Sequence, residues 1–159
     1  LFSYPTLANL IVTEIYYNTP GTDSIEYIEI LNATNATVKL DGYSFSNGVS
    51  YTFGVTDSIL AGGYYITALD STAFFNVFGF KSNSEWSSGN LVNTSELIKI
   101  IDPFGRTVDS VQYDDGGVWP SSPDGDGPSL VLCDSLADNS NGANWSAATS
   151  ATGVTILGS

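Results

Sequence analysis

The sequence predicts an all-β sandwich with one short helix, on three observations. Short segments rich in Val, Ile, Thr, Tyr and Phe recur along the chain. Pairs of Gly, Asn, Asp or Pro separate them at close intervals. Charged residues make up only 13% of the chain while aromatics also reach 13%, a balance that suits a β-protein better than a helical enzyme rich in Lys and Glu.

The elements follow in order. Leu10–Tyr17 is dense in β-branched and aromatic residues and stops before the Pro20-Gly21 turn. Ile25–Leu31 carries two carboxylates among Ile and Tyr and ends at Asn32. Thr37–Leu40 runs into Asp41-Gly42, Tyr43–Ser46 into Asn47-Gly48, and Tyr51–Phe53 is a further short strand. Tyr64–Leu69 starts directly after Gly62-Gly63. A helix is predicted at Ser71–Phe78. Asp70 or Ser71 can cap it, Phe74, Phe75 and Phe78 give it an apolar face, and Gly79 can end it. Glu96–Ile101 and Thr107–Tyr113 flank the turn residues Pro103-Phe104-Gly105, and Ser129–Cys133 closes the series. The length, 159 residues, suits one domain. The sandwich is assigned to 10–150, with an apolar N-terminal segment at 1–9 and an apolar C-terminal segment at 151–159.

Charge narrows the function. Against 17 acids stand only Lys39, Lys81, Lys99 and Arg106, for a net charge of −13. No basic stripe for nucleic acid can be built from four scattered cations, and attraction to anionic lipid is disfavoured too. No apolar run approaches the ~20 residues of a membrane span, so no membrane insertion is expected. Excess acid keeps an extracellular chain soluble, and it also suits calcium or a cationic partner. No signal peptide is visible, which reads as a mature or trimmed chain. Cys133, the one cysteine, lies in an apolar stretch and is expected to be a buried, inert thiol.

The absence of histidine removes Ser-His-Asp and Cys-His catalysis and every His-ligated metal site. Glu26 and Glu29 raise the question of a glycosidase pair. Residues three apart on a strand point to opposite faces, so structural roles are expected and no catalytic residue is assigned. The candidate calcium ligands are Asp124 and Asp126 on a Gly-rich turn, helped by Asp114 and Asp115. The competing reading of that turn is a solvated bend before a strand. Asp134, Asp138 and Asn139 form a weaker acidic group. Trp119, between Gly117 and Pro120, is the candidate sugar-stacking platform, which makes polysaccharide a candidate partner. Asn32, Asn35, Asn93 and Asn144 each begin an N-glycosylation pattern.

Several landmarks in order carry a family resemblance. They are Ile11-Val12-Thr13-Glu14-Ile15, Glu26 to Asn32, Leu40-Asp41-Gly42-Tyr43, Leu60-Ala61-Gly62-Gly63-Tyr64, Asp124 to Leu130, and Asp138-Asn139 through Asn144-Trp145. Together they resemble lamin-tail domains, most closely the secreted bacterial branch. The resemblance implies an immunoglobulin-like sandwich without catalytic residues, extracellular or at the cell surface. Nothing matches the heptads of a lamin rod.

The ends suggest assembly. Leu1, Phe2, Tyr4, Leu7 and Leu10 near the N-terminus, and Val154, Ile156 and Leu157 near the C-terminus, lie in uncharged stretches. Strand addition to another copy would bury them and make a homo-oligomer or polymer. Pairing within the domain's own sheet would bury them as well. The expected function is a non-catalytic, self-associating structural module of an extracellular fibre. The alternative is an accessory binding or adhesion domain of a larger secreted hydrolase or adhesin.

Overall fold

The computed structural model describes residues 9–86 and 88–149. The expected segments holding Leu1, Phe2, Tyr4, Leu7, Val154, Ile156 and Leu157 lie outside the described residues. In chain order the strands are β1 (Leu10–Tyr16), β2 (Tyr27–Asn32), β3 (Val38–Lys39), β4 (Ser44–Asn47), β5 (Tyr51–Thr52) and β6 (Ser58–Ile59). They continue as β7 (Tyr64–Ala68), β8 (Ser84–Glu85), β9 (Ser95–Ile101), β10 (Thr107–Asp114), β11 (Leu130–Leu132) and β12 (Trp145–Ala147). The helix α1 (Ser71–Phe78) falls between β7 and β8.

The strands form a six-stranded sheet in the order β12-β11-β1-β2-β7-β8, a four-stranded sheet in the order β10-β9-β4-β5, and a ribbon of β3 and β6. Among these strands only β8 runs parallel to its neighbour, β7. Val12, Ile15, Ile28 and Ile30 from the larger sheet pack with Phe45, Ile98, Ile100 and Val111 from the smaller one. Two sheets sharing one core make an immunoglobulin-like sandwich, as the sequence predicts. Each of these side chains contributes about 1.5–3 kcal/mol on burial, before the cost of ordering it.

The larger sheet is buried on both faces at its centre. Alternation along β2 turns Ile28 and Ile30 inward and Tyr27 and Glu29 outward. Outside, Phe74 of α1 packs with Tyr16, Tyr27, Ile66 and Ala68 in a second cluster. Phe74 meets the Tyr27 ring edge-on at 5.4 Å and the Phe80 ring at 5.2 Å. The helix has the predicted ends. The Asp70 carboxylate accepts the N–H groups of Thr72 and Ala73 at 2.8 and 2.9 Å, and Gly79 leaves the helix at φ +79°.

Three strands escaped the sequence pattern. β6 and β8 have two residues each and β12 has three, too few for a periodicity, and each owes its extended form to the strand it pairs with. Cys133 corrects an expectation: its thiol is exposed. β11 ends at Leu132, and the chain turns away through Asp134, whose side chain accepts the Leu136 N–H at 2.8 Å. Among the described residues no helix is long and apolar enough to cross a membrane.

The helix gives a graded test. Phe74→Ala should cost about 3–5 kcal/mol by urea denaturation, because it empties the outer cluster. Asp70→Ala should cost about 1 kcal/mol, because it removes only a cap. Equal losses would show that the helix packs less tightly on the sheet than its ring contacts indicate.

Candidate functional site

Strand direction gathers acids at one end of the sandwich. Tyr16 pairs with Tyr27, and Asp114 pairs with Ser95, so β1 and β10 end where β2 and β9 begin. The Tyr17 and Tyr113 rings stack at 4.7 Å and join the two sheets there. Tyr17 is fully buried, and its hydroxyl makes no hydrogen bond among the described residues. Burial raises its pKa, and the nearby charges of Asp124, Asp115 and Asp114 raise it further.

Three of the four candidate calcium ligands therefore surround one tyrosine, yet they do not converge as a cage. The Asp124 carboxylate accepts the Asn18 side-chain amide at 2.7 Å, and the Asp114 carboxylate accepts the Gly116 N–H at 2.9 Å. Asp126 is exposed. Among the described residues no three His, Cys, Asp or Glu side chains gather as metal ligands. Asp134 and Asp138 serve turns in the same way, Asp138 accepting both the N–H and the hydroxyl of Ser140.

Trp119 is half-buried and packs against the main core. Its ring lies 5.9 Å from the Trp145 ring, and a Cβ on Gly142 would fall 2.6 Å from its indole atoms. The close approach of Gly142 takes up indole surface that a sugar would need. Asn32 is fully buried. Its amide donates to the carbonyls of Ala36, Ile59 and Leu60, so this glycosylation pattern is closed to modification.

The carboxylates that matter most for the fold are buried. The Glu14 side chain accepts the Tyr27 hydroxyl at 2.6 Å and also the Ser129 hydroxyl. Opposite Glu14 on β2, Glu29 accepts the Thr13 hydroxyl at 2.8 Å. Thr13 sits at a register shift between Val12 and Glu14, a bulge that re-aims its side chain. Burial lifts the Glu29 pKa to about 7 despite that bond. Glu26 just precedes β2 and is fully buried. One of its oxygens accepts the Leu91 N–H at 2.8 Å, and the other has no partner among the described residues. Burial lifts its pKa to about 8, and the charges of Asp23 and Glu96 add to the rise.

A fourth carboxylate, Asp109 of β10, was not singled out by the sequence. It accepts the Val12 N–H at 2.7 Å and the Asn139 side-chain amide at 2.8 Å. Asn139 in turn donates to the Val12 carbonyl and accepts the Trp145 indole N–H. An acid in the interior of a predicted strand was the local signal for this role.

Two surface grooves accompany these features. One, of about 390 Å³, lies between α1 and β8; the other, of about 290 Å³, lies beside Leu10, Asp109 and Asn139. Glu14, Glu26 and Glu29 line neither. These three carboxylates are buried, and the hydrogen bonds above tie them to the fold.

A family model described as Lamin Tail Domain matches residues 4–115, well over half of the chain. No curated protein matches.

The raised carboxylates set a pH dependence. The folded state holds protons on Glu26 and Glu29 that the unfolded chain releases near its ordinary value of 4.5. Their stabilising contribution is complete below about pH 4.5 and is lost as pH rises through 7 and 8. The domain should therefore be more stable at about pH 5 than at about pH 8.5, by on the order of a few kcal/mol. Glu26→Gln and Glu29→Gln should each flatten that slope in urea titrations. A wild-type stability that rises across the same window would contradict the assignment.

Proposed function

The chain belongs to the lamin tail domain family, a family of non-catalytic immunoglobulin-like structural domains, and we propose that it works as a self-associating extracellular module. The observation that carries this reading is where the flanking segments attach. Ile15 pairs with Leu130, and Leu130 pairs with Ala147, so β12 ends level with the end of β1. β1 begins five residues earlier at Leu10, roughly 17 Å away along the strand. The uncharged segment before Asn9 and the uncharged segment after Thr149 therefore join opposite ends of one sheet.

Attachment at opposite ends favours a heterologous, head-to-tail contact, the kind that generates filaments when rotation does not close a ring. Sheet edges supply the means, since an added strand satisfies backbone groups that an edge leaves open. The net charge of −13 keeps such subunits apart until a directional contact overcomes the repulsion. An extracellular setting fits the scarcity of Lys and the Ser, Thr and Asn that cover the surface. This reading assigns no catalytic role, and the buried Glu14, Glu26 and Glu29 each serve a backbone or hydroxyl partner.

Deletion of Leu1–Thr6 tests the proposal. Sedimentation velocity should show assemblies for the intact chain and a monomer for the truncated one, with thermal unfolding nearly unchanged. An unfolded truncation would assign the segment to its own sandwich. A folded truncation with the same oligomeric state would remove the basis for assembly through this segment.

A further inference from the structure

The larger of the two grooves has a chemistry of its own. It is lined by the first turn of α1, by Phe75, and by residues 81–85 along β8, the outer strand of the larger sheet. Phe75 is 45% exposed there, although its neighbour Phe74 is fully buried. An aromatic ring held half in water at the wall of a concave site is a stacking surface for an apolar face of a ligand.

The polar lining is pre-organised. Glu85 accepts the Ser71 N–H at 2.8 Å and the Ser71 hydroxyl at 2.7 Å, both through one oxygen. Its other oxygen accepts no hydrogen bond among the described residues. Asn83 accepts the Ile66 N–H at 2.8 Å through its carbonyl oxygen, which orients its amide NH₂ as a donor. The Ser84 hydroxyl is fixed on Thr67 at 3.0 Å. The Ser82 hydroxyl is buried and makes no hydrogen bond among the described residues. Lys81 forms no ion pair among the described residues.

Charge selects the ligand class. Lys81 and Glu85 cancel within the groove, while the whole chain stands at −13 and repels anions. Among the described residues that line it, Glu85 is the one carboxylate, too few to hold a cation. What remains is one aromatic wall with fixed amide, hydroxyl, carboxylate and ammonium groups, the complement of a neutral polyhydroxylated ring. We propose that this groove between α1 and β8 binds a neutral polysaccharide, with Phe75 stacking on a sugar face and Asn83, Glu85 and Lys81 bonding its hydroxyls. This site replaces Trp119 as the sugar contact, since the Trp119 ring is packed against Gly142 and Trp145.

Native affinity electrophoresis of the full chain tests it, using gels that contain soluble neutral glucans, xylans or mannans, with alginate as an anionic control. At least one neutral polysaccharide should retard the wild type. Phe75→Ala should weaken the retardation roughly tenfold or more, and Lys81→Ala should weaken it less. Phe75→Tyr should retain binding, and Trp119→Ala should leave it unchanged. Thermal unfolding of each variant shows whether it is folded, and Lys81→Ala keeps the test open if Phe75→Ala is not. No retardation by any neutral polysaccharide, retardation by alginate alone, or loss on Trp119→Ala with Phe75→Ala unaffected would overturn the proposal.

Discussion

The sandwich depends on how the open side of β1 is closed. β1 pairs with β2 along its length but with β11 only at Glu14 and Ile15. Ahead of that point, the backbone of Val12 faces no strand. Asp109 reaches across from the other sheet and accepts its N–H, and Asn139 donates to its carbonyl. Asn139 is itself tied to Asp109 and to Trp145. One carboxylate and one amide thus replace a missing strand, and they join both sheets to the loop before β12. A buried backbone N–H without a partner costs about 1–3 kcal/mol, so this closure outweighs any single surface contact.

The same logic explains why a strongly acidic protein buries acids at all. A charged carboxylate in an apolar interior costs several kcal/mol unless it is paired, and among the described residues no buried cation is at hand. Glu26 and Glu29 meet that cost by retaining their protons to unusually high pH. As neutral acids they still accept the Leu91 N–H and the Thr13 hydroxyl. They hold loop to strand and strand to strand. The feature that looks most like a catalytic pair in the sequence is therefore part of the framework.

Much of this was legible in the sequence because it was local. Asp70 and Gly79 mark the helix ends within one turn of the bonds they make, and the Gly- and Asn-bearing turns bracket the long strands. Strand alternation anticipated different surroundings for Glu26 and Glu29, although β2 begins only at Tyr27. What stayed hidden was set at long range. Asp109 meets Val12 across 97 positions, and nothing near either residue announces the contact. β6 and β8 are strands only because a neighbour pairs with them. The solvent-facing turn of Cys133 follows from the early end of β11. Trp119 looked exposed among Gly and Pro, but Gly142, distant in sequence, makes the space that its ring fills.

The stability of Asp109→Ala tests most directly the claim that Asp109 closes the sandwich. The substitution leaves the Val12 N–H and the Asn139 amide without their shared acceptor. Urea denaturation at neutral pH should show a loss of about 2–4 kcal/mol relative to wild type. A loss under about 0.5 kcal/mol, the range of an ordinary surface substitution, would contradict this account of what holds the two sheets together.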